Sequence, residues 1–205
     1  MILMESLGHI FSTAFALFLL MDPLGNVPIF VSVLKDIEPK RQRLVIIREL
    51  FIALAIIILF NFLGEFLLNL LNIKRPTLLI SGGIILFIIA IRMIFPSRKD
   101  PESEYSTDKE PFIVPLAVPM VAGPAVLAAV MLYSYQDTNP WVSISAIIIA
   151  WAASTLILLS SPYLKKLLGN RGLIACEKLM GLLLVLLSVQ MFLEGTQLFM
   201  VGTTK

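Results

Sequence analysis

The chain has 205 residues, 58 % of them hydrophobic, with a mean hydropathy of +0.92. Soluble domains sit at roughly 45–50 % apolar, so this is the composition of a membrane protein. Charged residues make up 15 % and the net charge is +2; the basic side chains lie beside apolar stretches with no aromatic platform among them, which argues against a nucleic-acid partner. Cys176 and His9 are the only cysteine and histidine, which excludes an internal disulfide, a CxxC motif and a histidine metal cluster.

A helix needs about 20 apolar residues to cross a hydrocarbon core of ~30 Å, and six stretches qualify. The first runs from about Ile10 to Leu34. No basic segment precedes it and it continues past Asp22, so it reads as a span and not as a cleaved leader. It contains Asp22-Pro23-Leu24-Gly25-Asn26-Val27-Pro28. Proline inside a helix removes a backbone donor and crowds the carbonyl four residues back, at about 3 kcal/mol or more. It also drives the residue before it away from helical geometry. The first span is therefore expected to be a broken helix.

The second span is expected over Leu50–Leu71, where Asn61, Glu65 and Asn69 recur every four residues on one face. Asn61 and Glu65 are candidates to line a wet path, and Asn69 is close enough to the outer end to be simply solvated. The third, Pro76–Phe95, carries the close-packing pair Gly82-Gly83 and ends at Arg92, a residue placed to snorkel. Residues 97–110, SRKDPESEYSTDKE, are the one long polar stretch and read as a cytoplasmic linker. The fourth span, Pro111–Tyr135, holds Val118-Pro119-Met120-Val121-Ala122-Gly123-Pro124, which repeats the five-residue proline spacing of the first. The fifth, Pro140–Leu164, shows a small-residue stripe at Ala146, Ala150 and Ser154, a helix-packing pattern. The sixth, Ile174–Met200, places Gln190 and Glu194 one turn apart.

The two halves resemble each other. Gly83–Ile94 (GIILFIIAIRMI) aligns with Gly181–Phe192 (GLLLVLLSVQMF) at an offset of 98, and the prolines align at an offset of 96. Three spans per half is an odd number, so the second half enters the membrane inverted. Of the 16 Lys and Arg residues, all but Lys74, Arg75 and Lys205 fall beside the first, third and fifth connections. By the positive-inside rule those connections are cytoplasmic and both termini lie outside. The expected fold is thus an all-α membrane protein of six transmembrane helices in two inverted three-helix repeats, with the first and fourth helices broken at prolines. Residues 1–96 form one repeat and 111–205 the other.

Two discontinuous helices in corresponding places of inverted repeats point to a transporter binding site near mid-membrane. Asp22, Pro23, Gly25, Asn26 and Pro28 are candidates for one side of it, and Pro119, Gly123 and Pro124 for the other. An intramembrane carboxylate is costly, about 2.5–3.5 kcal/mol on insertion scales, and so marks function by default. Asp22 has four open roles: proton carrier, cation ligand, contact for a substrate ammonium, or simply the cap of a helix restarting at Pro23. Asn26 can donate and accept at once, and restarted helix N-termini offer free N–H groups to a carboxylate. The plain alternative is a pair of kinked helices needed only for packing. No catalytic constellation is visible: GxSxG, Walker and GxGD patterns are absent. An enzyme acting on lipid-linked substrates would need Glu65 to face Asp22. No resident cofactor or metal is expected; a proton or Na⁺ is the candidate coupling ion, and the expected partners are the lipid bilayer and a small solute.

On Asp22-Pro-Leu-Gly-Asn-Val-Pro-Ile-Phe30, Pro115-Leu-Ala-Val-Pro119 and Ala122-Gly-Pro124, the chain resembles the MarC family of bacterial inner-membrane proteins over nearly its whole length. The resemblance implies an architecture similar to the lysine-exporter superfamily. It also implies kinship with proteins regarded as small neutral amino-acid transporters. The family's second motif often reads AGPG where this chain has Ala125 after Pro124, which narrows that side of the site. The family also accepts Asn at the place of Asp22, which favours a capping or substrate-contact role there over an obligatory proton carrier.

Overall fold

The computed structural model describes residues 2–35, 37–95, 121–136 and 140–203. These are helical throughout apart from short turns, in the order α1 (Ile2–Met21), α2 (Pro23–Val33), α3 (Pro39–Leu70), α4 (Arg75–Ile94), α5 (Pro124–Gln136), α6 (Pro140–Leu159) and α7 (Ser161–Thr203). Proline explains most of the starts. It stands first in α2, α3, α5 and α6 and second in α4 and α7, where its missing N–H is one the helix could not use.

Five helical stretches are long and apolar enough to cross a bilayer: Leu7–Val33, Arg41–Gly64, Arg75–Ile94, Pro140–Leu159 and Arg171–Val201, with Pro124–Ser134 as a shorter apolar helix. They account for five of the six expected spans. The fourth is described only from Val121 onward, so Pro119 and the linker at 97–110 lie outside the described residues. Several boundaries move. The α3 helix starts at Pro39, well before the expected Leu50, and carries Arg41, Arg43 and Arg48 within it. Those charges do not end the helix because Val45, Ile46 and Leu50 turn into the core while Arg41 and Arg43 face outward. The fifth span ends at Leu159, and α7 runs back from the sixth span to Ser161, interrupted at Gly169 (φ 62°, ψ 179°).

The first span breaks where the prolines require it, between Met21 and Pro23. Pro28 makes no second break: it sits inside α2. The small-residue stripe of α6 is a packing face, since Ala146, Ile147, Ala150 and Ser154 are all buried and α6 packs along α1. The Ser154 hydroxyl donates to Met21 Sδ at 3.5 Å. From α6, Trp151 Nε1 donates to the Leu50 carbonyl of α3 at 2.8 Å, and its ring packs obliquely on Phe51, centroids 5.0 Å apart. Large side chains such as Phe11, Phe62, Phe66, Leu156 and Leu186 face outward, as a hydrocarbon solvent demands.

The longest seam joins α4 to α7, and two glycines set its spacing. A Cβ on Gly83 would lie 2.8 Å from the Ser188 carbonyl oxygen and 3.1 Å from the Phe192 nitrogen. A Cβ on Gly181 would lie 3.2 Å from the Ala90 carbonyl oxygen and 3.0 Å from Ile94 Cγ1. Each glycine brings backbone of the other helix close. The two short helices pack differently: α2 on α6 and α7, and α5 mainly on α3 and α4.

Candidate functional site

The site begins with Asp22. Its backbone is left-handed (φ 44°, ψ 57°), a conformation Asp and Asn tolerate better than other side-chain-bearing residues. The turn frees the chain from α1 and restarts it as α2. Asp22 N still bonds back to the Phe18 and Leu19 carbonyls, at 3.2 and 3.1 Å, while Asn26 N bonds forward to the Asp22 carbonyl at 3.1 Å. The carboxylate caps the new helix, accepting from Gly25 N at 3.1 Å. Asn26 Nδ2 donates to the Met21 carbonyl at 3.0 Å, satisfying one of the acceptors that the broken α1 leaves open. Gly25 is required by crowding: a Cβ there would run into the Asp22 carboxylate and come within 2.6 Å of Met93 Cε.

In the second half, Gly123 stands immediately before α5 and its carbonyl accepts from Leu127 N at 3.0 Å. It therefore occupies the position in α5 that Asp22 occupies in α2. The starts of α2 and α5 open on one cavity of about 290 Å³, lined by Asp22 and Asn26 on one side and by Gly123, Pro124, Ala125 and Val126 on the other, with Leu86, Ile89 and Leu184 among its apolar walls. The carboxylate of Asp22, only 9 % exposed, thus shares a cavity with the start of α5. The N–H groups of Ala125 and Val126 lack intrahelical partners at that start. A carboxyl group at one wall faces a helix N-terminus at the other.

Of the residues singled out from sequence, Asp22, Asn26, Gly123 and Pro124 come together here. Pro23 and Gly25 shape the turn behind them without lining the cavity. Pro28 faces elsewhere, into a cavity of about 190 Å³ bordered also by Val31, Lys165 and Glu177. Asn61 is 2 % exposed and sits at the α3–α5 seam, where its backbone carbonyl accepts from the Ser134 hydroxyl; neither polar atom of its side chain has a hydrogen-bond partner. The side chain of Glu65 lies outside the described residues. Asn69 lines a cavity at the α3–α4 turn. Gln190 Nε2 does reach Glu194 Oε1, at 2.6 Å, on an exposed face.

Two acids went unread in the sequence. Glu177, on α7, is half-buried and borders the same cavity as Pro28. The signal was available, since a carboxylate just inside an apolar run is itself a marker. Glu49 is 1 % exposed, with Arg48 Nη2 2.9 Å from its Oε1 and Oε2 without a partner. It was hidden by placing the start of the second span at Leu50. Among the described residues, no group of three or more His, Cys, Asp or Glu side chains could hold a metal ion.

Apolar helices with outward-facing aromatics, five of them long enough to cross a bilayer, define an integral membrane protein of several spans. The pattern of the MarC family integral membrane proteins matches residues 7–200, and the chain belongs to that family. It is 50 % identical over 197 residues to the UPF0056 inner membrane protein YhgN of Escherichia coli (strain K12), covering 96 % of this chain and 100 % of the relative. A UPF0056 membrane protein of Buchnera aphidicola subsp. Schizaphis graminum is also 50 % identical, over 191 residues, covering 92 % of this chain and 96 % of that one. One from Chlamydia muridarum is 32 % identical over 192 residues, covering 92 % and 93 %. No solved structure matches the chain. With these relatives, the protein is an integral inner-membrane protein.

Proposed function

We propose that this protein is a secondary transporter of a small polar solute, a neutral amino acid by preference, and that it works by alternating access. The observation that carries the reading is the shared cavity. A substrate ammonium would meet Asp22 and the Asn26 carboxamide, while its carboxylate would meet the N-terminal N–H groups of α5. A volume of about 290 Å³, at the lower end of ligand pockets, suits a small solute. We read the chain as a carrier and not as an enzyme.

The inverted-repeat arrangement belongs to the same proposal. Its support is the exchange at the α4–α7 seam: Gly83 faces Ser188, Met191 and Phe192, and Gly181 faces Ala90, Met93 and Ile94. Adding the offset of 98 to the first glycine and its helix-mates gives the second set. The end cavities follow the same exchange, one bordered by the α3–α4 turn and α5, the other by α2 and α7 near Gly169. Two related halves able to trade conformations are the basis of alternating access. The charge bias places the α3–α4 turn outside and Lys165, Lys166 and Arg171 in the cytoplasm.

The competing reading is a membrane scaffold, favoured by the cap bond from Gly25 N to Asp22, which gives the carboxylate a purely structural task. Uptake of labelled Ala, Gly, Ser, Thr, Lys and Glu into proteoliposomes, under imposed proton or Na⁺ gradients, separates the two. Saturable uptake of one substrate class is the expected result. Loss of gradient dependence in Asp22→Asn would give the carboxylate the ion-linked role, and retained dependence would reduce it to cap and contact. No uptake of any of the six under either gradient would remove the amino-acid reading and favour the scaffold.

A further inference from the structure

A second cavity, of about 420 Å³, opens at the α3–α4 turn. Asn69, Asn72, Lys74 and Arg75 line it above apolar residues that include Leu78 and Leu132, and among the described residues no acidic side chain borders it. Arg75 is only partly exposed, and its Nε is shielded from solvent with no hydrogen-bond partner. A guanidinium snorkelling to water would not leave that donor unmade, because a buried charged donor without an acceptor costs about 1–3 kcal/mol or more. Lys74, the residue preceding α4, makes no side-chain cap; Pro76 carries no N–H and Thr77 N already bonds to the Lys74 carbonyl at 2.9 Å, so the donors this end has to offer are chiefly side chains. A planar guanidinium fork, an ammonium and two carboxamides around one concavity are the donor set that recognises an oxyanion.

We propose that this cavity is an oxyanion-binding vestibule, taking the carboxylate of a small soluble acid or the phosphate of a lipid headgroup. Its position gives it a use. Leu78 and Leu132 border it, while Leu86 and Val126 border the Asp22 cavity. Both cavities therefore lie along the same α4–α5 seam. Eight residues of α4 separate Leu78 from Leu86, about 12 Å of helix. Between them the seam is closed at Gly82, where a Cβ would lie 3.3 Å from Ala128 Cβ and 3.2 Å from Met191 Cε. The vestibule is thus an antechamber, separated from the central cavity by one tightly packed layer. This place on a route rests on the transport reading; the oxyanion site itself does not.

The test is binding to the full-length protein in detergent, read by saturation-transfer NMR, which needs no transport. Acetate and methylphosphonate are the probes, and acetamide is the neutral isostere of acetate. Saturable binding of either anion, with acetamide bound at least tenfold more weakly, is expected. Lys74→Gln/Arg75→Gln should lose at least tenfold in anion affinity, while Asp22→Asn keeps it. Equal binding of acetate and acetamide, or no saturable anion binding to the wild type, overturns the proposal without reference to any variant's folding. So does a folded double variant that binds as the wild type does. Nanodiscs distinguish the sources. Acetate binding that survives phosphatidylglycerol supports a soluble occupant. Binding present in phosphatidylcholine and abolished by phosphatidylglycerol overturns the soluble source in favour of a lipid phosphate.

Discussion

Asp22 does two jobs with one conformation. Its left-handed backbone ends α1, and its side chain caps α2 three residues on. Asp and Asn are the side-chain-bearing residues best suited to both, because each tolerates this region and each is a strong N-cap. That is a physical reason for the family resemblance to permit Asn at this position. Asp22→Asn is therefore expected to melt, in detergent, close to the wild type. Asp22→Ala should be destabilised by about 1 kcal/mol through loss of the cap. Equal melting of the Ala and Asn variants would show that the Gly25–Asp22 bond contributes nothing. The cap was legible in the Asp-Pro pair, where a good N-cap precedes a residue suited to the first helical position. The left-handed turn was not, since many cap residues are extended. Glu49 was obscured for a different reason: a scan for apolar runs stops at Arg48, whereas α3 continues through it with one side chain ion-paired to the next.

At the scale of the helix, proline spacing located the break in the first span but did not say which proline begins the new helix. The motifs align Pro28 with Pro124, yet Pro28 lies within α2 whereas Pro124 opens α5. The difference lies in the capping residue available. Asp22 can restart the chain at Pro23, while in the second half Gly123 supplies the carbonyl that accepts from Leu127. Helix ends were misplaced wherever amphipathic turns extend beyond the apolar run, as at Pro39 and at Ser161. The glycine pair of α4 was correctly read as a packing feature, and its cost can be measured. A side chain at Gly83 would press on the carbonyl of Ser188 and the nitrogen of Phe192, backbone atoms that cannot rotate away. Gly83→Val is expected to lose about 1–3 kcal/mol from overpacking. Gly8→Ala, with nothing within 4 Å of its added Cβ, should melt no lower than the wild type. If thermal melts in detergent rank the two the other way, the α4–α7 seam is looser than described.

For the molecule as a whole, the all-helical membrane class followed from composition because membranes restrict the choices so severely. A chain this apolar must satisfy its backbone in helices, and freed backbone groups must turn inward. What could not be read is which surfaces meet, since lipid-facing and helix-facing positions use the same aliphatic side chains. The partnership of α4 with α7, and of each broken segment with the opposite half, is a matter of three-dimensional fit.

The glycine-set seam between α4 and α7 has a consequence for how the chain can be cut. Most of what joins residues before 96 to those after 120 is lateral packing: α4 on α7, α1 on α6, α5 on α3. The covalent connection need not be what keeps them together. Residues 1–99 and 100–205, made as two separate polypeptides in one cell and tagged on different fragments, should reassemble and copurify through both tags. Gly83→Val in the first fragment should abolish the pairing. Recovery of each tagged fragment alone would mean that assembly depends on the tether.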